Sequence, residues 1–342
     1  MLEALLKDTA SFCEREGLIP PGARILVACS GGPDSLALLD ILARLSGLAK
    51  YDFSVEAAHF EHGIRVEDEA SQADASFVEE FCGKRNIPCT IGHGNVPAFA
   101  EARQLSLETA ARQCRYDFLE QTRKKRGLDL IATAHQADDQ AETVLMRLLR
   151  GTGTAGLAAM RPRAVGELPL IRPLLFASRS AIEGYCEARQ LSPRLDATNE
   201  LMDCTRNKLR LKTLPELRED YNPRLSQALC QLADICAAEA DYISSQAKEA
   251  FARLWCPQGL EAKGFKELPQ ALQWAVLRLF WQQETGSQKD LPYAHVQRLC
   301  KVLNEGHAGS QQQLPHGCCL RLYRENKKLY ARLTVRGEVN PS

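Results

Sequence analysis

The stretch from Ile25 to Ser35, Ile-Leu-Val-Ala-Cys-Ser-Gly-Gly-Pro-Asp-Ser, constrains the fold more than any other. Residues 25–29 are mostly apolar and β-branched and predict a buried strand; Ser30 to Ser35 predict a turn; Leu36-Ala37-Leu38-Leu39 begins a helix. Strand, turn and helix in that order present backbone N–H groups at a helix N-terminus. There the dipole is positive, and small side chains let an anion approach closely. A phosphate site is therefore expected at Ser30, Gly31, Gly32, Pro33, Asp34 and Ser35. The Gly-Lys-Ser/Thr ending of a P-loop is missing, which excludes a Walker-type nucleotide site. The competing reading is a plain connector whose Asp34 or Ser35 caps the helix.

The segments around this stretch say what kind of sheet holds it. Strand signals recur at residues 53–60, 87–92 and 128–135, separated by 3.6-periodic runs such as Phe77, Val78, Phe81 and Cys82. Such alternation predicts an α/β fold of right-handed βαβ units, with a parallel sheet covered by helices on both faces. Ligands in such sheets sit beyond the carboxyl ends of the strands, where Ser30–Ser35, residues 59–65 and residues 135–142 all fall. The last of these reads His135-Gln136-Ala137-Asp138-Asp139-Gln140-Ala141-Glu142. Asp139 and Glu142 share a helix face and could complement the dipole, hold Mg²⁺ or bind an ammonium group. A further helix, predicted with Leu107, Ala111, Cys114 and Phe118 toward the core, carries Glu108, Arg112 and Arg115 on one flank. The two arginines are candidates for neutralising phosphoryl charge. Gly151-Thr152-Gly153-Thr154-Ala155-Gly156 spells a dinucleotide fingerprint but follows a helix, so it predicts a helix stop and a loop.

With 342 residues, two domains are expected, with a boundary near Tyr221-Asn222-Pro223: residues 1–218 catalytic, 219–342 helical with a short terminal β element. Residues 318–323 and 328–333 read as a hairpin pair. Net charge is zero, so any nucleic-acid partner would rely on local patches. One candidate is Arg206, Lys208, Arg210, Lys212 and Arg218, which also reads as a solvated helix face. The thirteen cysteines contain no Cys-x-x-Cys, which predicts dispersed, reduced thiols in a cytoplasmic protein, with neither zinc nor an iron–sulfur cluster. Leu2, Leu5, Leu6, Phe12 and Cys13 fit an amphipathic helix rather than a secretory leader, and no apolar run approaches the roughly 18 residues of a membrane span.

Ser-Gly-Gly-Pro-Asp-Ser resembles the PP-loop of the N-type ATP pyrophosphatases, whose adenine nucleotide alpha hydrolase-like fold cleaves ATP between its α and β phosphates. The ordered blocks that follow resemble the tRNA(Ile)-lysidine synthetase family. They are His62-Gly63-Ile64-Arg65, Glu108-Thr109-Ala110-Ala111-Arg112 with Arg115-Tyr116, and Ala134-His135 through Glu142-Thr143. Arg150-Gly151-Thr152-Gly153, Ile171-Arg172-Pro173-Leu174, Asp196-Ala197-Thr198-Asn199 and Arg206-Asn207-Lys208-Leu209-Arg210 complete the series. A weaker similarity to the family's tRNA-contacting module covers Leu314-Pro315-His316-Gly317 and Leu320-Arg321-Leu322-Tyr323-Arg324. Where that family often has glycine, two positions before Ser106, this chain has Gln104.

The resemblance implies a ligase that uses ATP and Mg²⁺ to adenylate C2 of the wobble cytidine in a CAU-anticodon tRNA(Ile). The ε-amine of L-lysine then displaces AMP, which changes codon reading from AUG to AUA. It implies catalytic roles for Asp34, Arg112, Arg115, Asp139, Glu142 and Arg206, with Asp34 linked to the metal. Asp139 and Glu142 would receive the lysine ammonium. Ser30 to Ser35 with His62, Arg65 and His135 would bind the nucleotide. It allows a monomer or a homodimer and gives no role to a membrane. The alternative reading is a PP-loop tRNA thiolase acting on cytidine or uridine, an enzyme type that commonly uses cysteine pairs.

Overall fold

The computed structural model describes residues 2–63, 69–164, 166, 168–194, 205–286, 291–314 and 317–335. Contacts divide the chain into two compact units, Met1–Ala237 and Ala238–Ser342.

The first unit opens with α1 (Leu2–Arg15), β1 (Ala23–Ala28), α2 (Pro33–Ser46), β2 (Phe53–Glu61), α3 (Glu69–Gly83) and β3 (Cys89–His93). It continues through α4 (Val96–Arg103), α5 (Leu107–Arg126), β4 (Leu130–Ala132), α6 (Ala137–Arg150), α7 (Thr154–Leu157), β5 (Leu170–Ile171) and α8 (Arg179–Ala188). The strands form one sheet in the order β3-β2-β1-β4-β5, every neighbour parallel, with Val27 level with both Ala57 and Ala132. This is the α/β architecture that the alternating pattern predicts. Buried Ile25, Val27, Leu36, Leu38, Leu39, Ile41 and Leu42 make the main core between sheet and helices. Leu26, Leu119, Leu128, Ile131 and Leu170 cover the opposite face. Strand order reverses between β1 and β4, so the loops after these two strands flank the crevice where such sheets hold ligands.

β5 is only two residues long, the short extended segment that the Pro- and Gly-rich stretch 161–173, otherwise read as loop, allows. In α5 the buried residues are Ala110, Leu119 and Thr122, with Ala111, Cys114 and Phe118 half-buried. Leu107 stands exposed, because it sits in a first turn capped by Ser106, whose Oγ accepts the Thr109 N–H at 3.3 Å. Gln104 ends α4 in the left-handed region (φ 53°), a conformation that glycine adopts without strain. Gly151 ends α6 at φ 76°, and Gly153 precedes α7, so the Gly-x-Gly-x-x-Gly run terminates one helix and starts another.

After residue 204 come α9 (Thr205–Lys208), a wide π-helical turn (Leu209–Thr213), α10 (Leu214–Asp220) and α11 (Leu225–Leu254). The division between the two compact units falls inside α11. Leu229 and Ala233 of that helix pack with Ala141, Val144, Leu145, Leu209 and Leu214 in a core of the first unit.

The second unit holds β6 (Trp255–Cys256), β7 (Gly259–Glu261), α12 (Ala262–Lys266), α13 (Gln270–Thr285), α14 (Tyr293–Glu305), β8 (Gln311–Gln313), β9 (Cys318–Glu325) and β10 (Lys328–Val335). Its strands form a second sheet, order β6-β7-β10-β9-β8, antiparallel throughout. The β9–β10 hairpin turns on Asn326 and Lys327, both with positive φ, as a two-residue primed turn requires. Phe265, Val276, Leu277, Phe280, Trp281, Leu299, Leu320 and Leu322 fill its core. Among the described residues no helix is long and apolar enough to cross a membrane.

Candidate active site

The turn after β1 is held by its own side chains. Ser35 Oγ accepts from the Ser30 N–H at 3.1 Å and from Ser30 Oγ at 3.2 Å, and donates to Gly32 O at 2.9 Å. Gly31 sits at φ 88°, and a Cβ there would meet Val78 Cγ2 of α3 at 3.4 Å. Gly32 precedes α2 in extended conformation without a side-chain cap, and Pro33 takes the first helical position. Among the described residues no side chain therefore covers the first backbone N–H groups of α2, which are open to an anion.

Asp34 projects from that first turn and has no hydrogen-bond partner among the described residues. Burial pushes its carboxyl up to about 6, helped by the nearby Asp139 carboxylate and opposed by Arg179 and Arg210. Asp34 and Asp139, one from each side of the strand-order reversal, thus feel each other's charge.

Asp139 and Glu142 occupy the start of α6 and share one guanidinium. Arg206 donates from Nη2 to Asp139 Oδ1 at 2.8 Å and from Nε to Glu142 Oε2 at 2.7 Å. Asp139 Oδ2 also accepts the Gln136 N–H at 3.1 Å in a capping box, as the helix-start reading of this residue expects. Glu142 is buried. Burial raises its carboxyl, Arg206 lowers it, and its second oxygen stands 4.0 Å from Arg210 Nε. Arg206 is held charged: desolvation works against the cation, and the two carboxylates outweigh it. Arg218 donates to Asp138 and Ser226. The basic segment is thus not a uniformly solvated face: its three arginines turn toward the acids of α6, while Lys208 and Lys212 remain exposed.

His135 accompanies these groups as a neutral ring. Its Nδ1 lies 2.8 Å from Thr133 Oγ1; burial, then Arg172, Arg115, Arg112 and Arg206, hold its pKa well below the ordinary value. Burial also lowers Arg115. The Arg112 and Arg115 guanidinium carbons lie 4.8 and 5.5 Å from the Tyr116 ring centre. Glu108, on the same helix, acts on Arg206 through its charge. Arg172, given no role by the sequence pattern, is buried after β5, donates from Nη1 to Arg161 O at 2.6 Å, and among the described residues leaves Nε without a partner. Its signal was its place beyond a strand end, hidden because that strand is so short. His62 lies further along β2's exit, its ring edge-on to Phe60 at 5.1 Å. Arg65 and the Asp196-Ala197-Thr198-Asn199 block lie outside the described residues.

A cavity of about 480 Å³ opens beside the acids, lined by residues of α6, α8, the π-helical turn and α10, Glu142 and Arg210 among them. No group of three or more metal-ligating side chains occurs among the described residues. One carboxylate, Asp34, beside a turn of uncapped amides still fits Mg²⁺, which is usually held by one or two carboxylates plus substrate phosphates.

A glycine-containing turn between a parallel strand and a helix is the local structure of a PP-loop domain, and residues 4–217 match the PP-loop domain family, to which the chain belongs. Residues 260–330 match the TilS substrate binding domain. A protein named tRNA(Ile)-lysidine synthase from Clostridium perfringens is 40% identical over 248 residues, 72% of this chain and 52% of that protein. One of the same name from Symbiobacterium thermophilum is 40% identical over 294 residues, 83% of this chain and 60% of its own. The chain spans about half to three fifths of the length of these curated relatives. Among solved structures, the U34-tRNA thiolase NcsA from Methanococcus maripaludis with its [4Fe-4S] cluster superimposes with a TM-score of 0.54 at 16% identity. That match covers 68% of this chain and 79% of the thiolase, a likeness of fold alone.

Proposed function

We propose that the protein is a tRNA(Ile)-lysidine synthetase, a cytoplasmic ligase that joins L-lysine to the wobble cytidine of a CAU-anticodon tRNA(Ile) at the expense of ATP. The observation that carries this reading is the approach of two acidic groups across the sheet's switch point. Asp34 stands on the turn after β1 and feels the charge of Asp139 on α6, which shares Arg206 with Glu142. One site thereby has places for a triphosphate and for an amine.

In this reading the triphosphate lies on the amides around Gly31 and Gly32. Asp34 would hold Mg²⁺, which supplies charge neutralisation on the phosphates. The cytidine O2 attacks the α-phosphorus, the bond from that phosphorus to the bridging oxygen breaks, and pyrophosphate leaves. Arg112, Arg115 and the buried Arg172 concentrate positive charge about a His135 that adds none of its own. That environment favours the developing phosphoryl charge. The lysine ε-amine then bonds to C2, and the C2–O bond to the adenylate breaks to release AMP. Glu142 Oε1, the oxygen that Arg206 leaves, is placed to take the proton that the amine must lose. Modification changes the codon read from AUG to AUA. The named relatives at 40% identity favour ligation over thiolation, since the thiolase likeness is one of fold.

The test is incubation of this chain with ATP, Mg²⁺, L-lysine and a CAU-anticodon tRNA(Ile), followed by mass spectrometry of the released nucleosides. A lysine increment on one cytidine is expected. Folded protein that yields none contradicts the reading, and a sulfur-sized increment would replace it with thiolation.

A further inference from the structure

A turn that offers its amides to an anion must hold its carbonyl oxygens elsewhere, because a carbonyl dipole aimed at the anion opposes what the amides supply. In the turn after β1, three of those oxygens are held by donors. Gly32 O accepts the Leu36 N–H at 3.0 Å and the Ser35 hydroxyl at 2.9 Å. Gly31 O accepts the Arg194 N–H at 3.1 Å, and the Arg194 side chain is paired with Asp74 of α3 at 2.7 Å. The third, Cys29 O, lies 2.9 Å from Nδ1 of His59, a residue that the chemistry above does not use.

His59 lies near the exit of β2 and is 5% exposed. A carbonyl oxygen only accepts, so Nδ1 carries the proton of this ring. Burial, with His93, holds the ring's pKa below the ordinary value, against the bond to Cys29 O and the charges of Asp74 and Glu61. The ring is therefore neutral at physiological pH, with its tautomer set by the main chain. The contact matters because the peptide from Cys29 to Ser30 is planar. His59 holds its oxygen end, and Ser35 Oγ holds its N–H end at 3.1 Å. The Cys29 N–H is fixed in turn to Ala58 O of β2 at 2.8 Å. The peptide on which the turn begins is thus clamped at both ends, once from within the turn and once from the neighbouring strand.

We propose that His59 is a positioning residue for nucleotide binding: its Nδ1–H orients the peptide between Cys29 and Ser30, so that the amides beyond it converge on a phosphate and the Cys29 oxygen stays turned away. The inference rests on the nucleotide reading of this turn and goes beyond it, since His59 acts through the main chain. Without that donor the peptide is free to rotate, and a rotated carbonyl opposes the anion.

The experiment measures binding of ATP with Mg²⁺ by calorimetry for wild type, His59→Asn and His59→Gln, each shown to be folded by its urea midpoint. Asn carries its amide nitrogen on Cγ, where His carries Nδ1; Gln carries it one atom further out. His59→Asn should therefore keep the ATP Kd within about threefold of wild type, and His59→Gln should raise it about tenfold or more. A merely structural role predicts the reverse order, because Asn leaves the larger void. Equal Kd values in the two variants, or weaker binding by His59→Asn, overturn the proposal. Should a variant misfold, ¹⁵N NMR of the wild-type imidazole decides. A proton on Nδ1 and a ring resonance that shifts when ATP and Mg²⁺ bind are expected; an Nε2–H tautomer, or a ring unmoved by the nucleotide, overturns it. Wild type that binds no ATP brings down the nucleotide reading and this inference together. The expected order of variants without a lysine adduct brings down the ligase reading alone.

Discussion

Asp34 and Asp40 lie on the same helix, and the protein treats them in opposite ways. Asp40 is 2% exposed, yet its carboxyl lies below the ordinary range. Burial raises it, but Arg189, Tyr185 and Arg85 more than compensate, with donors at 3.0 Å from Arg189 Nε and 2.6 Å from the Tyr185 hydroxyl. Asp34 is less deeply placed, has no such donor among the described residues, and is pushed up to about 6. Burial alone therefore does not set the charge of these two acids; what sets it is whether the fold supplies the donors. Asp40 ties α8 to α2 and is complete. Among the described residues Asp34 is left incomplete beside a turn of open amides, the condition expected of a group whose partner arrives with a ligand. Glu142 lies between these extremes, with one oxygen served by Arg206 and the other 4.0 Å from Arg210.

The largest effect that would sharpen this contrast is on turnover. Asp34→Asn should lower tRNA-dependent pyrophosphate release by about 10²–10³-fold or more, the scale of losing a group that stabilises transferring charge. Near-normal release would remove Asp34 from the site. Asp40→Asn should behave conversely. It leaves Arg189 and Arg85 without their buried partner, so urea denaturation should show a loss of about 2–4 kcal/mol, with turnover retained at temperatures where the variant is folded. A stable variant would mean that the Asp40 cluster contributes little.

A smaller effect follows from pH. The folded-state pKa of Asp34 lies above its unfolded value near 4, so between about pH 4 and 6 the folded ligand-free protein holds the extra proton. Stability contributed by this group falls as pH rises through that window and is level above it, by about 1–2 kcal/mol after allowance for solvent screening. Asp40 has the opposite sign: its contribution is present above pH 4 and is lost as pH falls through its lowered folded value. Urea midpoints measured from pH 4 to 8 should show the Asp34 decline in wild type and not in Asp34→Asn. The smallest expected effect is at Gln104, where glycine should relieve the left-handed strain and stabilise by about 0.5–1 kcal/mol, read as a raised thermal midpoint. No gain there would mean that the turn before α5 accommodates a side chain without cost.

Much of this was legible in the sequence because local chemistry set it. Small residues after an apolar strand dictate the turn at Gly31 and Gly32, and alternation dictates the parallel sheet. What was not legible depends on distant partners. The basic segment reads as a charged helix face until Arg206, Arg210 and Arg218 are seen against α6, because charge density alone carries no direction. Arg172 was hidden by a strand too short to show a period, and the outward turn of Leu107 by a first helical turn whose polar caps override its hydrophobicity. Asp34 and Asp40 look alike in sequence; only the arrival of Tyr185 and Arg189 from α8 distinguishes them.

The most direct measurement is a ¹³C carboxyl titration of the folded protein, with Asp34 assigned by its absence in Asp34→Asn. The free protein should give a value near 6 for Asp34. A non-hydrolysable ATP analogue with Mg²⁺ should bring the value down below the ordinary carboxylate range, because the approaching cation favours the ionised form. An ordinary value in the free protein that the nucleotide leaves unmoved would contradict the claim that this acid is held open for a phosphate-bound metal.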